Sequence, residues 1–370
     1  MKIKKFLQKC FKKTFQSLFS LFYGKVNEYT KIKDVDLNIK KISEIYLKDK
    51  KKYSVHTNIY EISNARVYTD SVEHVAIIKD NMIIPNISYQ QINKELKESK
   101  FNKVLFSGTP RLIKKVDGRL LSLVQGASGN NYFHFLFDVV AKLKLCEEKI
   151  KFKEIDFFYV PGNFDWQKKI FQLFGIENKK LIDSDVYRHL KARSIIALEH
   201  PWYKKGYVQE EINNVPEWII FFLREKFLRY AKKFECSDKI FIDGSESRSN
   251  HCKLINNDEI IKYLSQKGFQ SYQIGKLDFF EQIYLFNKAK IIIGPHRSAL
   301  TNIIFSHPST NIIEIIPDRY KIKVFEKISK VLNLKYTKIV RPEIRLPDPT
   351  LGDMTIKIEE IDNILNRLKL

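Results

Sequence analysis

The stretch IIIGPHRSALTNIIF at 291–305 gathers a glycine, a histidine, an arginine and three short polar side chains between apolar runs. The spacing predicts a buried strand, a tight turn at Gly294, Pro295 and His296, the first turn of a helix, and then a second strand, NIIEIIP at 311–317, carrying Glu314. A turn of this kind at the carboxyl end of a parallel strand leaves backbone N–H groups unpaired and aimed at one point, which suits an anion such as a phosphate. Ser298, Thr301 and Asn302 add short donors, and His296 and Arg297 add a titratable and a permanent cation. Glu314 stands where an acid commonly accepts hydrogen bonds from a ribose. The same residues also suit an ordinary strand-to-helix connection with a solvated glutamate, and taken alone they leave both readings open.

A second constellation lies upstream, in GASGNNYFHFLFD at 126–138. A Gly, Ser and Asn loop caps a helix on which His134 and Asp138 stand four apart, hence on one face, with Asn130 and Asn131 at its mouth. Such a pair could deprotonate an acceptor hydroxyl, the carboxylate orienting the imidazole or acting as base itself; a partly buried histidine with a surface acid is the plainer alternative. Arg248, in the SESRSNHCKLINNDE segment at 245–259, follows a predicted strand directly and offers a guanidinium that can hold a diphosphate bidentately. Lys253 is a further cation, while Asn256 and Asp258 read as a helix cap. Asp183-Ser184-Asp185 imitates the DxD of metal-dependent sugar transferases, but nothing nearby adds a third ligand, so no metal site is assigned. Walker-type loops, HExxH and a GxSxG elbow are absent.

The elements that must position these residues follow from the rhythm of the chain. Residues 53–90 alternate short β-rich runs with polar turns, a meander. From about 103 strands alternate with helices, which argues an α/β fold with a parallel sheet covered on both faces. PEWIIFFLREKFLRYAKKF at 216–234 predicts a long connecting helix begun by proline. A second series follows: KIFID, FQSYQIG, AKIIIG, NIIEIIP and KYTKIV, with helices between. The expected organisation is a basic amphipathic helix at 1–24, an N-terminal Rossmann-like domain with a β-rich start at 25–232, and a C-terminal Rossmann-like domain at 233–341. A linker with a final helix at 342–370 completes the chain and could cross back to the first domain. Two facing Rossmann-like domains would make an interdomain cleft, a usual place for a ligand.

Composition sets outer bounds. With 44% apolar and 13% aromatic residues the chain can fill two cores, and its net charge of +22, from 65 Lys and Arg against 43 Asp and Glu, favours polyanionic partners. No helix-turn-helix, basic recognition helix or RRM signature supports specific nucleic-acid binding. Cys10, Cys146, Cys236 and Cys252 are scattered without CxxC spacing, which argues against a zinc site or disulfide framework and for a reducing cytoplasm. At the N-terminus Phe6, Leu7, Phe11, Phe15, Leu18, Phe19 and Phe22 fall at helical spacing with Lys2, Lys5, Lys9, Lys12 and Lys13 mostly opposite. That pattern predicts a helix lying in the headgroup region of an anionic membrane surface, on the inner face of the cell membrane.

With these segments in view, the chain resembles the family 61 glycosyltransferases. The matching pieces are NNYFHFLFDVVAKL at 130–143, SRSNHCKLINNDEIIKYLSQKGF at 247–269, and LDFFEQIYLFNKAKIIIGPHRSALTNIIF with its trailing IIEIIP at 277–317. The resemblance implies a GT-B-like fold and inverting, metal-independent transfer, without a cofactor, of a hexosyl or pentosyl group. The donor would be a nucleotide-sugar and the acceptor a lipid-linked glycan or polysaccharide, as in capsular polysaccharide biosynthesis. By matching position, the Gly294–Asn302 loop, Arg248 and Glu314 would hold the nucleotide and diphosphate, and His134 and Asp138 would face the acceptor. Two positions depart from the family pattern: Arg297 stands where a glycine usually follows the histidine, and Gly244 stands where many relatives carry an arginine. These departures keep a second expectation in play, a noncatalytic relative that binds nucleotide or glycan.

Overall fold

Runs of β-branched residues bounded by polar turns become strands in both halves of the chain. The computed structural model describes residues 18–29, 37–47, 51–70, 74–124, 131–202, 206–245, 251–344 and 352–369. Two of the predicted site residues, Asn130 and Arg248, lie outside these, as do residues 1–17 of the predicted amphipathic helix. The chain divides into two units, Met1–Glu211 and Ile212–Leu370.

The first unit is built on one mixed sheet. Strands Leu181–Asp183, Phe157–Val160, Lys114–Ser122 and His189–Leu198 lie side by side in that order, all parallel. The meander joins this sheet rather than forming a separate layer, because His189–Leu198 pairs on its other edge with Lys52–Ser63 and Arg66–Tyr68, both antiparallel. Its burial explains the join: Leu190, Ile195, Ile196 and Leu198 are covered on both faces, the condition of a central strand. After Lys114–Ser122 the chain runs into a helical segment at 132–147 that carries both His134 and Asp138. Asn131 caps it, accepting from the His134 N–H at 3.3 Å.

The second unit holds a five-stranded, wholly parallel sheet in the order Gln270–Tyr272, Lys239–Ile242, Ile291–Pro295, Asn311–Pro317, Lys335–Arg341. Numbered along the chain this order is 2-1-3-4-5, so the direction of winding reverses between Lys239–Ile242 and Ile291–Pro295. In open α/β sheets the crevice at the carboxyl ends of such a strand pair is where ligands bind. The strands read as near-continuous apolar runs because helices cover both faces. On one face Phe241, Ile291, Ile293, Ile313, Ile315 and Ile339 pack with Ile260 and Leu264 of helix Asn257–Gln266 and with Ile361 and Leu365 of the final helix, Ile358–Leu368. The final helix, expected to cross back, thus finds its apolar partners within its own unit. Helix Glu217–Phe227, read as a connector, also belongs here: Arg224 Nη1 donates to the Ile304 and Ser306 carbonyls at 2.7 Å each. A β-carbon at Gly294 would stand 2.8 Å from Ile242 Cβ, so the close approach of the two switch-point strands requires glycine there.

Candidate functional site

His134 and Asp138 meet as predicted. The His134 Nδ1–H donates to Asp138 Oδ2 at 2.9 Å. Asp138 sits in a widened helical turn, the π-helix Phe135–Val140, which interrupts the α-helix between Tyr132–His134 and Ala141–Glu147. Within that turn the Phe137 carbonyl accepts a hydrogen bond from the Trp202 indole at 3.1 Å, and the same Nε1–H reaches Asp138 Oδ1 at 2.8 Å. Asp138 is fully buried, while His134 keeps 8% of its surface exposed. The carboxylate therefore has one oxygen on the imidazole and the other on the indole and cannot itself meet an acceptor. Of the two roles open to Asp138 in the sequence, orienting the imidazole fits this geometry and acting as the base does not.

Two further buried groups flank the pair. Lys142, one turn beyond Asp138, is buried, and desolvation pulls its ammonium down to about 8 despite the neighbouring Cys146 and Asp138. His200 Nε2 lies 3.9 Å from Asp138 Oδ1, and burial, with Lys142 and His134 adding to it, holds its imidazole well below the usual range. A neutral His200 at that distance contributes packing and a weak dipole. It also accepts at Nδ1 from the Trp202 N–H at 3.3 Å, which steadies the loop bearing the indole.

In the second unit the turn at 294–297 emerges at the switch point. Glu314 is buried, with one carboxylate oxygen on His296 Nδ1 and the other on the Tyr336 hydroxyl. The register explains the meeting, since Gly294 pairs with Glu314 and Ile312 with Tyr336 on three adjacent strands. A carboxylate so engaged is not placed for a ribose; it orients the His296 ring, correcting that expectation. Tyr336 is pushed upward by burial and then by Glu314, which keeps it the donor. The His296 ring also packs at 5.1 Å from Tyr320 and 5.0 Å from Phe325.

The rest of the loop is unevenly placed. The expected helix runs over Ser298–Phe305 and is a 3-10 helix. Ser298 is half-buried, whereas Thr301 and Asn302 are fully buried. The Asn302 amide donates to Gln282 Oε1 at 3.0 Å and to the Ala299 carbonyl at 3.3 Å, so it ties the helix to its neighbour. Arg297 is 4% exposed; its Nε donates to the Cys252 carbonyl at 3.2 Å, and neither Nη atom has a hydrogen-bond partner among the described residues. Leaving a buried donor unpaired costs on the order of 1–3 kcal/mol, more for a charged group. Asp183 and Asp185, the DxD imitation, are locally engaged: Asp183 Oδ1 accepts from the Asp185 N–H at 2.7 Å and Asp185 pairs with Arg188 at 2.9 Å. Among the described residues no group of three or more His, Cys, Asp and Glu is arranged to hold a metal, and no helix is long and apolar enough to cross a membrane.

Residues 132–313, spanning both histidine sites and ending one residue before Glu314, match the family model described as Glycosyltransferase 61. Over these residues, just under half of its length, the chain is similar to glycosyltransferase family 61. A rice protein (Oryza sativa subsp. japonica) described as a beta-1,2-xylosyltransferase is 26% identical over 155 residues, 40% of this chain. The chain spans about a quarter of that relative's length, 26%. Among solved structures, a flavo di-iron protein variant from Thermotoga maritima aligns over 90% of this chain and 98% of its own at 8% identity, with a TM-score of 0.24, too low to carry an argument.

Several partners at these sites escape a reading of the sequence. Trp202 and His200 lie more than 60 residues from Asp138 and carry no local signal. Lys142 and Cys146 continue the four-residue spacing of His134 and Asp138, a ladder that would have flagged a buried polar face. His251 stands in a segment whose arginine drew the attention, and its Nδ1 is buried without a hydrogen-bond partner among the described residues.

Proposed function

We propose that this chain is an inverting glycosyltransferase that moves a sugar from a nucleotide-sugar to a glycan or lipid-linked acceptor without a metal. The observation that carries the reading is the His134–Asp138 pair, held at 2.9 Å inside the family-matched region with the carboxylate fully buried and His134 8% exposed. Asp138 holds Nδ1 in its protonated form, which leaves Nε2 with a lone pair. That nitrogen takes the proton of the acceptor hydroxyl as the oxygen attacks the anomeric carbon, and the fixed carboxylate stabilises the imidazolium that forms. A single displacement inverts the anomeric centre. In the same step the bond to the nucleoside diphosphate breaks, and its charge falls on the Gly294–Asn302 loop, with Arg297, His296 and Arg248 serving as cations. The reading requires the two units to present these groups to one sugar, the GT-B-like arrangement implied by the resemblance. The rice relative suggests a pentosyl donor.

The test is transfer from UDP-, GDP-, CMP- and dTDP-sugars to a panel of glycan acceptors by purified protein, with and without chelator, and with NMR assignment of the product anomer. Inverted product that persists with chelator and disappears in His134→Ala supports the reading; turnover in His134→Ala near the parent rate overturns it. Docking on an anionic membrane is part of the proposal, supported by the net charge of +22 and by exposed Leu21 and Phe22 in the helical turn at 18–23. Sedimentation with phosphatidylglycerol vesicles, lost when Leu21 and Phe22 become serine, tests it.

A further inference from the structure

We infer that Gly244, Arg297 and His251 form one anion clamp at the switch point, in which the absent side chain of Gly244 is the seat of the Arg297 guanidinium. This deepens the reading above, on which it rests for the identity of the anion as the diphosphate of the donor.

Three observations converge. A β-carbon built on Gly244 would stand 3.0 Å from Arg297 Cδ and Nε and 3.4 Å from Cζ, so the guanidinium lies directly over that residue. Gly244 is not among the residues with positive φ, so space rather than backbone conformation calls for glycine there. The two Nη atoms of Arg297 and Nδ1 of His251 are all buried without hydrogen-bond partners among the described residues. Finally, Gly244 follows strand Lys239–Ile242 and Arg297 follows Ile291–Pro295, the two strands between which the winding reverses.

The surrounding charges do not already use the guanidinium. Asp243 is occupied by the Ser245 N–H at 2.9 Å, the Asn257 amide at 3.0 Å and the Gln273 amide at 2.8 Å. Asp353 accepts from the Lys253 N–H at 3.2 Å. Desolvation lowers the Arg297 guanidinium, and Cys252, Asp353 and Asp243 partly offset it at longer range. His251 stacks on Tyr320 with ring centroids 6.0 Å apart and planes 17° apart, and Tyr320 in turn packs against His296. Two orphaned guanidinium N–H groups and an imidazole nitrogen beside a second, carboxylate-backed imidazole match the oxygens of a diphosphate and would recognise it bidentately.

An arginine placed at 244, with glycine at 297, would deliver a guanidinium to the same space from the neighbouring strand. Titration calorimetry of the full chain with inorganic pyrophosphate, orthophosphate and UDP at about 150 mM salt, where nonspecific attraction is screened, tests this. Pyrophosphate and UDP should bind more tightly than orthophosphate. Arg297→Gly and Gly244→Ala should each weaken pyrophosphate at least tenfold, His251→Gln by a smaller factor, and the double variant Gly244→Arg with Arg297→Gly should regain most of the lost affinity. Arg297→Lys, which keeps the charge and loses the fork, should fall between parent and Arg297→Gly and guards against a folding defect in the smaller variants. Parent-like pyrophosphate affinity in Arg297→Gly or Gly244→Ala, or a double variant worse than either single one, overturns the clamp. Intact pyrophosphate binding with no sugar transfer to any acceptor would instead defeat the transferase reading and leave the clamp standing.

Discussion

Each unit contains a buried carboxylate that holds an imidazole through Nδ1 with one oxygen and an aromatic donor with the other. In the first unit these are Asp138, His134 and the Trp202 indole; in the second they are Glu314, His296 and the Tyr336 hydroxyl. The device is the same and the scaffolds differ. One pair lies a helical turn apart on a single segment, whereas the other spans the ends of neighbouring parallel strands. Their surroundings separate the roles. His134 is backed by the Trp202 indole through Asp138, which suits proton transfer, whereas His296 lies beside Arg297, whose unpaired fork suits a charge that arrives with the ligand. A fixed imidazole is thus a general component, and its neighbours decide whether it moves a proton or holds an anion.

Five substitutions would break or sharpen that distinction. The largest effect is expected from His134→Ala, which should lower kcat by about 10²–10⁴-fold, while His296→Ala should act mainly on the donor KM; steady-state kinetics showing the same signature for both would erase the contrast. Asp138→Ala should come next, destabilising by about 1–3 kcal/mol for each donor it strands, the His134 imidazole and the Trp202 indole, measured as a fall in urea midpoint. Trp202→Phe and Tyr336→Phe each delete one donor to a carboxylate and should cost about 1–3 kcal/mol. Trp202→Phe should be the more damaging, since its indole also satisfies the Phe137 carbonyl.

The smallest effect concerns Lys142. Its folded-state value of about 8 lies below the ordinary 10.5. Between those two the unfolded chain binds more protons than the folded one, so stability should rise with pH across that window. The rise should be absent in Lys142→Met, and parallel stability profiles for the two proteins from pH 7 to 10.5 would refute it.

Much of this was legible in the residues and some was not. The strand, turn, strand pattern at 291–317 could be read because buried parallel strands leave continuous apolar runs, and the His134–Asp138 contact because four-residue spacing fixes a helical face. Glu314 was misassigned because its partners are set by register, which places Tyr336 and His296 around it from two other strands and leaves no trace in local sequence. The meander was recognised, but its continuity with the parallel strands depends on the antiparallel pairing of His189–Leu198 with Lys52–Ser63, a contact across more than a hundred residues. Gly244 and Arg297 each read as a departure. Only their spatial overlap makes them complementary.

The widened turn at Phe135–Val140 has a consequence for how this chain tolerates change. A π-turn accommodates one surplus residue while the helix on either side keeps its facing, and the carbonyl it frees is the one the indole takes. Deleting a single residue there would let the segment relax to a regular α-helix whose apolar faces still point inward. The shortened chain should keep its fold and melt lower only by the cost of the hydrogen bonds it gives up, while turnover collapses with the alignment of imidazole, carboxylate and indole.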